Sequence, residues 1–350
     1  MTRVLIAAGG TAGHVVPALA VADELRSRGA DVVWLGGERA EAELVPAAGY
    51  PLHQIAVKGL SRSNPLAAAR AAALAGRASA RAARVLRAER ADAVYGGGGY
   101  VAGPAGAAAV LRRVPLVLSE ADSVLGLTNR LLARFAKRVC LAFPIPGRDG
   151  PRYRLTGRPV PPPATDRAAA RAELGVGEDE DLVLVFGGSL GARSVNDAAI
   201  DAFGGAPFRV LHAAGERDFA DLRPPREGYD LRPYLPAPEF GRALLAADLV
   251  VARAGGSIFE ICAHGRPAVL VPYPHASADH QTTNARWMAD AGAAVIVPDA
   301  ELNGPRLARE VATLLADRRR LHAMARASAA LARPHAAAEI ADEVLAAAAR

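Results

Sequence analysis

The stretch that decides the fold is Val4-Leu5-Ile6-Ala7-Ala8 followed by Gly9-Gly10-Thr11-Ala12-Gly13-His14. Five apolar residues predict a buried strand, the glycines predict a tight turn, and residues 15–25 have the pattern of a helix. The same order returns where residues 182–186, an apolar run, precede Gly187-Gly188-Ser189-Leu190-Gly191-Ala192 and a helix from about residue 195. The chain therefore contains two similar halves, each opening with a strand, a glycine turn and a helix.

Further strands alternate with helical stretches in both halves. They are predicted at Asp31–Leu35, Ala93–Tyr95, Val210–His212, Leu249–Ala252 and Ala268–Val271. Such alternation is typical of α/β proteins with buried parallel sheets. We expect two Rossmann-like, doubly wound domains facing across a cleft, because open α/β sheets bind ligands at the carboxyl ends of their strands.

The domain boundary is predicted near residue 160. Glycines and prolines between residues 147 and 159 lead into Pro161-Pro162-Pro163, a stiff segment unsuited to a helix or a central strand. We expect an N-terminal domain at 1–160 and a C-terminal domain at 161–333, with a helix at about 334–350 packing back on the first. A length of 350 residues agrees with two domains.

Composition excludes several classes of protein. Apolar residues make up 51% and charged residues 22%, as in globular proteins, and the longest apolar run, Val101–Leu111, is too short to cross a bilayer. The cysteines, Cys140 and Cys262, lack zinc or redox spacing and are expected to be buried. No secretion signal is complete, so we expect a cytoplasmic protein. The pI of 9.7 accompanies no nucleic-acid-binding motif, so the excess positive charge points to an anionic membrane surface or a phosphate-rich substrate.

Glycine turns between a strand and a helix predict phosphate binding, because backbone N–H groups and the positive end of the helix dipole stabilise an anion there. Four turns have this placement: Gly9–Gly13, Gly96–Gly99 after the strand ending at Tyr95, Gly187–Gly191, and Gly255-Gly256-Ser257. Their number favours two phosphate-bearing ligands. A nicotinamide cofactor fits less well, because the first turn lacks the G-x-G-x-x-G spacing and Gly36-Gly37 stands where an acidic residue is needed.

Residues 187–191 also satisfy the G-x-S-x-G pattern of a serine hydrolase, with Ser189 as nucleophile and Asp279 and His280 downstream. Asp279 and His280 are sequence neighbours and no H-G-G-G oxyanion loop is present, so this is the minor alternative. His275, Asp279 and His280 lie in a loop without metal-ligand geometry, and we predict neither a metal nor a cofactor.

His14 is the candidate general base. At a helix start the dipole disfavours imidazolium and keeps the ring able to accept a proton. A capping role, or donation to a phosphate, is the alternative.

A helix is predicted from Asn64 to Glu89, with Asn64 as its cap. Alanines would pack inward and leave one outward face of leucine and arginine, formed by Leu66, Arg70, Leu74, Arg77, Arg81 and Arg84. This face would bind anionic lipid, or it is simply a solvated arginine face.

These motifs together resemble the MurG family of peptidoglycan N-acetylglucosaminyltransferases, which convert lipid I to lipid II. The resemblance spans nearly the whole chain. It rests on residues 9–14, 98–104, 126–129, 187–192 and 253–260, and on His280-Gln281 with Asn284-Ala285. It implies the GT-B architecture and inverting, metal-independent transfer from UDP-GlcNAc to an undecaprenyl-diphosphate-linked muramoyl-pentapeptide, at the cytoplasmic face of the cell membrane and without nucleic acid as a partner.

The resemblance also implies residue roles. His14 would assist removal of the proton from the muramoyl 4-hydroxyl, Glu260 would bind the ribose, Leu235 would border the uracil and Gln281 would bond the GlcNAc hydroxyls. The other implied substrate-binding residues are Thr11, Ala12, Gly13, Tyr100, Asp122, Arg158, Ser189, Gly255, Gly256 and Ser257.

The sequence departs from the family pattern at several positions. Ala12 replaces a glycine, Ser119-Glu120-Ala121-Asp122 replaces H-E-Q-N, Leu190 replaces a glutamine, and Arg158 and Pro161 lie in the segment that usually reads N-P-V-R. Another GT-B activity on a different lipid acceptor is therefore the alternative function.

Overall fold

The computed structural model describes residues 1–57, 65–188 and 190–349, and the side chains of residues 65–73 lie outside that description. The chain forms two compact units. Unit 1 comprises Met1–Val160 and Arg333–Arg350, and unit 2 comprises Pro161–Ala332.

Unit 1 contains a parallel seven-stranded sheet of order β3-β2-β1-β4-β5-β6-β7. Its elements are β1 (Arg3–Ala8), α1 (Ala12–Ser27), β2 (Asp31–Gly36), α2 (Ala40–Ala47), β3 (Leu52–Gln54), α3 (Pro65–Ala88), β4 (Ala93–Gly98), α4 (Ala102–Arg112), β5 (Leu116–Glu120), α5 (Leu127–Leu132), β6 (Arg138–Leu141), β7 (Tyr153–Leu155) and, near the C-terminus, α14 (Ala336–Ala348).

Unit 2 contains a parallel six-stranded sheet of order β10-β9-β8-β11-β12-β13. Its elements are α6 (Arg167–Glu173), β8 (Leu182–Phe186), α7 (Arg193–Ala202), β9 (Arg209–Ala213), α8 (Glu216–Phe219), β10 (Tyr229–Arg232), α9 (Ala237–Ala246), β11 (Leu249–Ala252), α10 (Ile258–Ala263), β12 (Ala268–Leu270), α11 (His280–Asp290), β13 (Ala294–Ile296), α12 (Gly304–Ala316) and α13 (Arg318–Ala330).

Each sheet is covered on both faces, as the near-continuous apolar strands require. In unit 1, α1 and α14 cover one face, where Val15 and Ile340 are fully buried, and α3 and α4 cover the other, where Ala82 and Ala105 are fully buried. In unit 2, successive residues of a strand belong to two separate apolar cores, one on each face of the sheet. Leu184 of β8 is in one core and Val185 is in the other. Doubly wound α/β domains, as predicted, are therefore present in both halves.

Several predicted boundaries were wrong. Strand β4 does not stop at Tyr95 but continues through Gly98, so only Gly99 of that glycine run lies beyond it. Helix α1 begins at Ala12 rather than at Val15. Strands β3, β5, β6, β7, β10 and β13 were not predicted, and all of them are five residues long or shorter, which gives little room for a period. Cys140 and Cys262 are buried, as predicted.

Candidate active site

The strand order of unit 1 reverses between β1 and β4, which lie side by side at the centre of the sheet. In doubly wound folds, the carboxyl ends of two such strands border the ligand crevice. The segments that follow β1 and β4 here are Gly9–Thr11 and Gly99–Val101. The predicted glycine turns therefore meet at the place where this fold binds ligands.

The two segments are packed directly on each other. A Cβ added to Gly99 would lie 1.9 Å from the carbonyl oxygen of Gly9, and one added to Gly10 would lie 3.1 Å from Cε1 of Tyr100. Gly10 and Gly99 also have φ of +104° and +75°, a region that side chains other than glycine rarely adopt. Glycine is thus required here for close approach of the two loops as well as for the turns.

His14 lies in the first turn of α1, half-buried, with Nδ1 3.3 Å from Oγ1 of Thr11. Its ring packs over Gly98, where an added Cβ would lie 2.6 Å from Cδ2. Burial is the main cause that lowers the pKa of His14, and the charge of Arg158 lowers it further. In the tautomer whose Nδ1–H donates to Thr11, the Nε2 lone pair is available to accept a proton. The ring is thus neutral at physiological pH and suited to act as a base.

Asp122 and Arg158 are both near His14. The negative charges of Asp122 and Glu41 raise the pKa of His14 and so oppose Arg158. The guanidinium of Arg158 donates to the carbonyl of Gly13. Unit 1 therefore brings together the predicted residues Thr11, Ala12, Gly13, His14, Tyr100, Asp122 and Arg158.

Glu120 organises the segment that carries Asp122. Its carboxylate is buried and accepts hydrogen bonds from Gly126 N at 2.8 Å, Asn129 Nδ2 at 2.9 Å and Asp122 N at 3.2 Å. Burial raises the pKa of Glu120. Asp122, one of the positions where the sequence departs from the H-E-Q-N pattern of the family, thus lies in a segment whose main chain is held by Glu120.

The corresponding reversal in unit 2 lies between β8 and β11. The loop after β8 packs on the end of β9, since a Cβ added to Gly191 would lie 2.1 Å from the carbonyl oxygen of Ala214. Ser189, predicted to bind phosphate, lies outside the described residues. After β11, Gly255 and Gly256 accept hydrogen bonds from the first N–H groups of α10.

Glu260 of α10 lines a pocket of about 330 Å³ within unit 2. The pocket wall also includes Pro161, Pro162, Pro238, Arg242 and His264. His264 Nδ1 donates to the carbonyl of Glu260 at 2.8 Å, and Nε2 accepts from Ala164 N at 3.3 Å. Burial lowers the pKa of His264, which agrees with a neutral ring holding α10 to the segment after the prolines.

Gln281, at the start of α11, has a defined amide orientation. Its Oε1 accepts from the main-chain N–H of Tyr273 at 3.0 Å, and its Nε2 lies 3.8 Å from a Cβ built on Gly255. The NH₂ group therefore faces the loop after β11. A donor in this position suits the oxygen of a sugar hydroxyl or a phosphate.

Arg253 fixes the loop after β11, and its main partners were not predicted. Its guanidinium donates to Asp299 Oδ1 at 2.6 Å and to Ser194 Oγ at 2.8 Å, and also to the carbonyls of Val271 and Pro272. These partners belong to separate segments around the end of β11. Because they lie far from Arg253 in the sequence, no local pattern predicted the contacts.

Leu235 is placed differently from the other predicted residues. Its side chain is 3% exposed and packs in an apolar core of unit 2. The side chain of Leu235 thus contributes to packing. Of this residue, only the main chain is left to border a uracil ring.

Two Rossmann-like domains, each with glycine loops at the point where its strand order reverses, have the architecture of GT-B glycosyltransferases. Residues 4–141 match the glycosyltransferase family 28 N-terminal domain, and residues 182–343 match the family 28 C-terminal domain. Two relatives carry the name UDP-N-acetylglucosamine--N-acetylmuramyl-(pentapeptide) pyrophosphoryl-undecaprenol N-acetylglucosamine transferase. The one from Alkalilimnicola ehrlichii is 47% identical over 97% of both chains, and the one from Moorella thermoacetica is 43% identical over 98% of both.

Among solved structures, the crystal structure of MurG from Acinetobacter baumannii is similar, with a TM-score of 0.79, 32% identity, and coverage of 99% of this chain and 100% of that one. The chain belongs to glycosyltransferase family 28 and, within it, to the MurG family. It is therefore a glycosyltransferase, and neither the hydrolase role of Ser189 nor the nicotinamide alternative is retained.

Proposed function

We propose that the chain transfers GlcNAc from UDP-GlcNAc to the 4-hydroxyl of an undecaprenyl-diphosphate-linked N-acetylmuramoyl-pentapeptide, the step that completes the lipid-linked disaccharide of peptidoglycan. The observation that carries the chemistry is His14, a neutral, half-buried imidazole at the carboxyl edge of the sheet. The name that the relatives of the same family carry supports the choice of substrates.

In the proposed reaction, Nε2 of His14 takes the proton of the 4-hydroxyl as that oxygen attacks the anomeric carbon of GlcNAc. The bond from that carbon to the β-phosphate oxygen breaks on the opposite face, so configuration inverts and UDP leaves with the bonding electrons. In the tautomer that leaves Nε2 free, Nδ1–H would donate to Oγ1 of Thr11. Such base catalysis contributes roughly 100- to 10,000-fold to a rate.

UDP-GlcNAc is assigned to unit 2. Glu260 would accept from the ribose hydroxyls, since one carboxylate has lone pairs for both, and Nε2 of Gln281 would donate to a GlcNAc hydroxyl. The loop at Gly255–Ser257 and the loop that contains Ser189 would stabilise the charge developing on the diphosphate. We propose that these donors act in place of a metal ion. Among residues 1–57, 65–188 and 190–349, no cluster of three or more His, Cys, Asp or Glu side chains suits a metal.

A transfer assay tests the donor and the acceptor. The donors compared are UDP-GlcNAc and UDP-glucose, and the acceptors compared are the muramoyl lipid and polyprenyl phosphates that bear other sugars. EDTA is present to remove divalent metal ions. We expect a β-linked GlcNAc product on the muramoyl acceptor alone. Preference for UDP-glucose or for another lipid would establish the alternative GT-B activity, and activity only with added divalent metal would contradict the metal-independent mechanism.

We further propose that unit 1 binds an anionic membrane surface at the cytoplasmic face. Ala78 and Ala82 of α3 are buried, while Arg77, Arg81 and Arg84 are exposed, as the helix pattern predicted. Leu74 is half-buried, Asn64 lies outside the described residues, and the side chains of Leu66 and Arg70 are not described. In the part of the chain that the structure describes, no helix combines the length and the apolar content needed to span a bilayer.

Neighbouring helices support this assignment. Helix α3 packs on α4, which packs on α5. Leu111 at the end of α4 is 76% exposed, and Leu131 and Phe135 in and after α5 are 57% and 51% exposed. Exposed arginines follow or alternate with them, at positions 112, 113, 130 and 134. Exposed apolar side chains among cations suit an interface with anionic lipid.

The membrane proposal is tested with vesicles that contain phosphatidylglycerol. Changing Arg77, Arg81 and Arg84 to Glu should release the protein in co-sedimentation. The control changes Arg309, Arg319 and Arg326 of unit 2 to Glu, with the same change in net charge, and should still bind. Equal binding of both triple variants would show that the arginine face of α3 is merely solvated.

A further inference from the structure

A buried carboxylate, Glu41, lies beneath the first glycine turn and was not among the predicted site residues. It is in the first turn of α2 and is 0% exposed. Its Oε2 accepts from Gly10 N at 2.7 Å, while its Oε1 accepts from Gly37 N at 2.8 Å and from the Tyr100 hydroxyl at 2.9 Å. Burial alone raises the pKa of Glu41, but these hydrogen bonds outweigh it and hold the pKa below its usual value. Glu41 is thus ionised.

The surrounding glycines make room for this carboxylate. An added Cβ would lie 2.6 Å from Glu41 Oε1 at Gly9, 2.8 Å from Glu41 Cγ at Gly36, and 2.5 Å from the Tyr100 hydroxyl at Gly37. Such distances are shorter than any ordinary van der Waals contact. Gly36-Gly37 at the end of β2 therefore serves the packing of Glu41 against the turn.

Glu41 also changes what the turn can bind. The N–H of Gly10, which would face a phosphate in a dinucleotide-binding turn, donates instead to the protein's own carboxylate. A phosphate bound at Gly10 would be repelled by the negative charge of Glu41. The turn is thereby suited to present Thr11 and His14 rather than to bind a phosphate at Gly10.

We infer that Glu41 is a positioning residue of the transfer reaction, which holds the Gly9–Gly10 turn and Tyr100 together so that His14 faces the acceptor hydroxyl. The inference rests on the proposed function. Tyr100 packs on Gly10, and His14 packs on Gly98, two residues before Tyr100. Glu41 is bonded to both loops at once and so fixes the surface on which the His14 ring rests.

The charge of Glu41 gives the test a readout beyond activity. The charged groups that act on His14 are Arg158, which lowers its pKa, and Asp122 and Glu41, which raise it. Removing the charge of Glu41 would destabilise the imidazolium. His14 would then lose its proton at a lower pH, and the acid limb of the kcat/KM profile would move to lower pH. A carboxylate whose charge does not act on His14 would leave the limb in place.

The test compares Glu41→Gln with Glu43→Gln, an exposed position on the same helix. The glutamine keeps the shape but cannot accept from all three donors. For Glu41→Gln we expect kcat/KM for the acceptor to fall roughly 10- to 100-fold, the acid limb to move to lower pH, and the dissociation constant for UDP-GlcNAc to stay unchanged. Glu43→Gln should match the wild type. Unchanged kcat/KM, an unmoved limb, or an equal loss of UDP-GlcNAc affinity would overturn the inference.

Tyr100→Phe keeps the test valid if Glu41→Gln folds poorly. It removes one of the three donors and leaves both main-chain hydrogen bonds, so a smaller loss of acceptor kcat/KM is expected. The double variant should be no slower than Glu41→Gln alone, because both changes break one network. Additive losses would contradict the network. A wild type without transferase activity would refute the proposed function, whereas an active wild type matched by Glu41→Gln would refute this inference alone.

Discussion

Arg158 donates a hydrogen bond from its guanidinium to the main-chain carbonyl of Gly13, 145 residues away in the chain. The contact joins the segment after β7 to the first turn of α1, which carries His14. It also places a positive charge beside the imidazole, which, after burial, is the next cause of the low pKa of His14. The position of the first turn of α1 and the basicity of His14 are therefore linked through one side chain.

Arg158→Gln should move the acid limb of kcat/KM to higher pH. Glutamine can still donate to Gly13 but lacks the charge, so the imidazolium is less disfavoured and the pKa of His14 rises. The measurement is the pH profile of acceptor kcat/KM, with Arg319→Gln, an exposed position in unit 2, as control. A limb that stays in place, or moves to lower pH, would show that Arg158 does not act electrostatically on His14.

Gln281→Ala should weaken UDP-GlcNAc binding roughly 10-fold, about the contribution of one hydrogen bond, and leave UDP binding unchanged. The reason is that Nε2 of Gln281 is proposed to donate to the sugar rather than to the nucleotide. Calorimetric titration with both ligands measures the difference, and Gln54→Ala in unit 1 is the matched substitution. An equal loss for UDP and UDP-GlcNAc would place Gln281 at the diphosphate instead.

A buried histidine of unit 2 predicts a pH dependence of stability. His212 is fully buried between Tyr229, at 2.8 Å from Nδ1, and Asn196, at 3.0 Å from Nε2. Burial lowers the pKa of His212 to about 4. The folded-state pKa lies below the unfolded value of about 6.5. The contribution of neutral His212 to the free energy of unfolding is therefore complete above pH 6.5 and is lost as the pH falls toward 4. The loss amounts to about 3 kcal/mol.

The check is urea unfolding of wild type and His212→Gln at pH 7 and pH 4.5. The glutamine retains a donor for Asn196 but does not titrate, so its free energy of unfolding should fall less on acidification than that of the wild type. His335→Gln, an exposed position, should behave like the wild type. Parallel pH dependence in all three proteins would remove His212 as the cause.

Two consecutive residues before α11 have left-handed backbone conformation, Ala278 with φ of +53° and Asp279 with φ of +52°. For alanine this conformation is unfavourable, so Ala278→Gly should raise the free energy of unfolding by about 0.5–1 kcal/mol. Ala276→Gly, where φ is −63°, should lower it by a similar amount. Thermal unfolding measures both, and a fall in stability for Ala278→Gly would show that the loop is unstrained.

The sequence predicted the features that depend on local order. The apolar runs at β1 and β8 match the structure closely, because a buried parallel strand ended by glycines has a local signature. The placement of His14 followed from the same turn. Glu41 was missed because its partners Gly10 and Tyr100 lie 31 and 59 residues away. The doubled glycine at Gly36-Gly37, which makes room for Glu41, is the signal in the sequence that points to it.

Other parts of the site depended on tertiary packing. Arg253 meets Asp299 and Ser194 across separations of 46 and 59 residues, which no pattern in the sequence indicates. Leu235 resembles a base-contacting residue by motif, yet its side chain packs in the core. Residue type and spacing thus predicted where the loops lie. The side-chain contacts that hold those loops could be identified only from the three-dimensional structure.

The most direct test of the central claim is transfer of labelled GlcNAc from UDP-GlcNAc to the undecaprenyl-diphosphate-linked muramoyl-pentapeptide by wild type and His14→Ala, with UDP-GlcNAc affinity measured in parallel. The account predicts turnover by the wild type, a loss of roughly 100-fold or more in His14→Ala, and equal donor affinity in the two proteins. No transfer by the wild type would contradict the proposed function, and near-normal turnover by His14→Ala would contradict the role of His14 as the base.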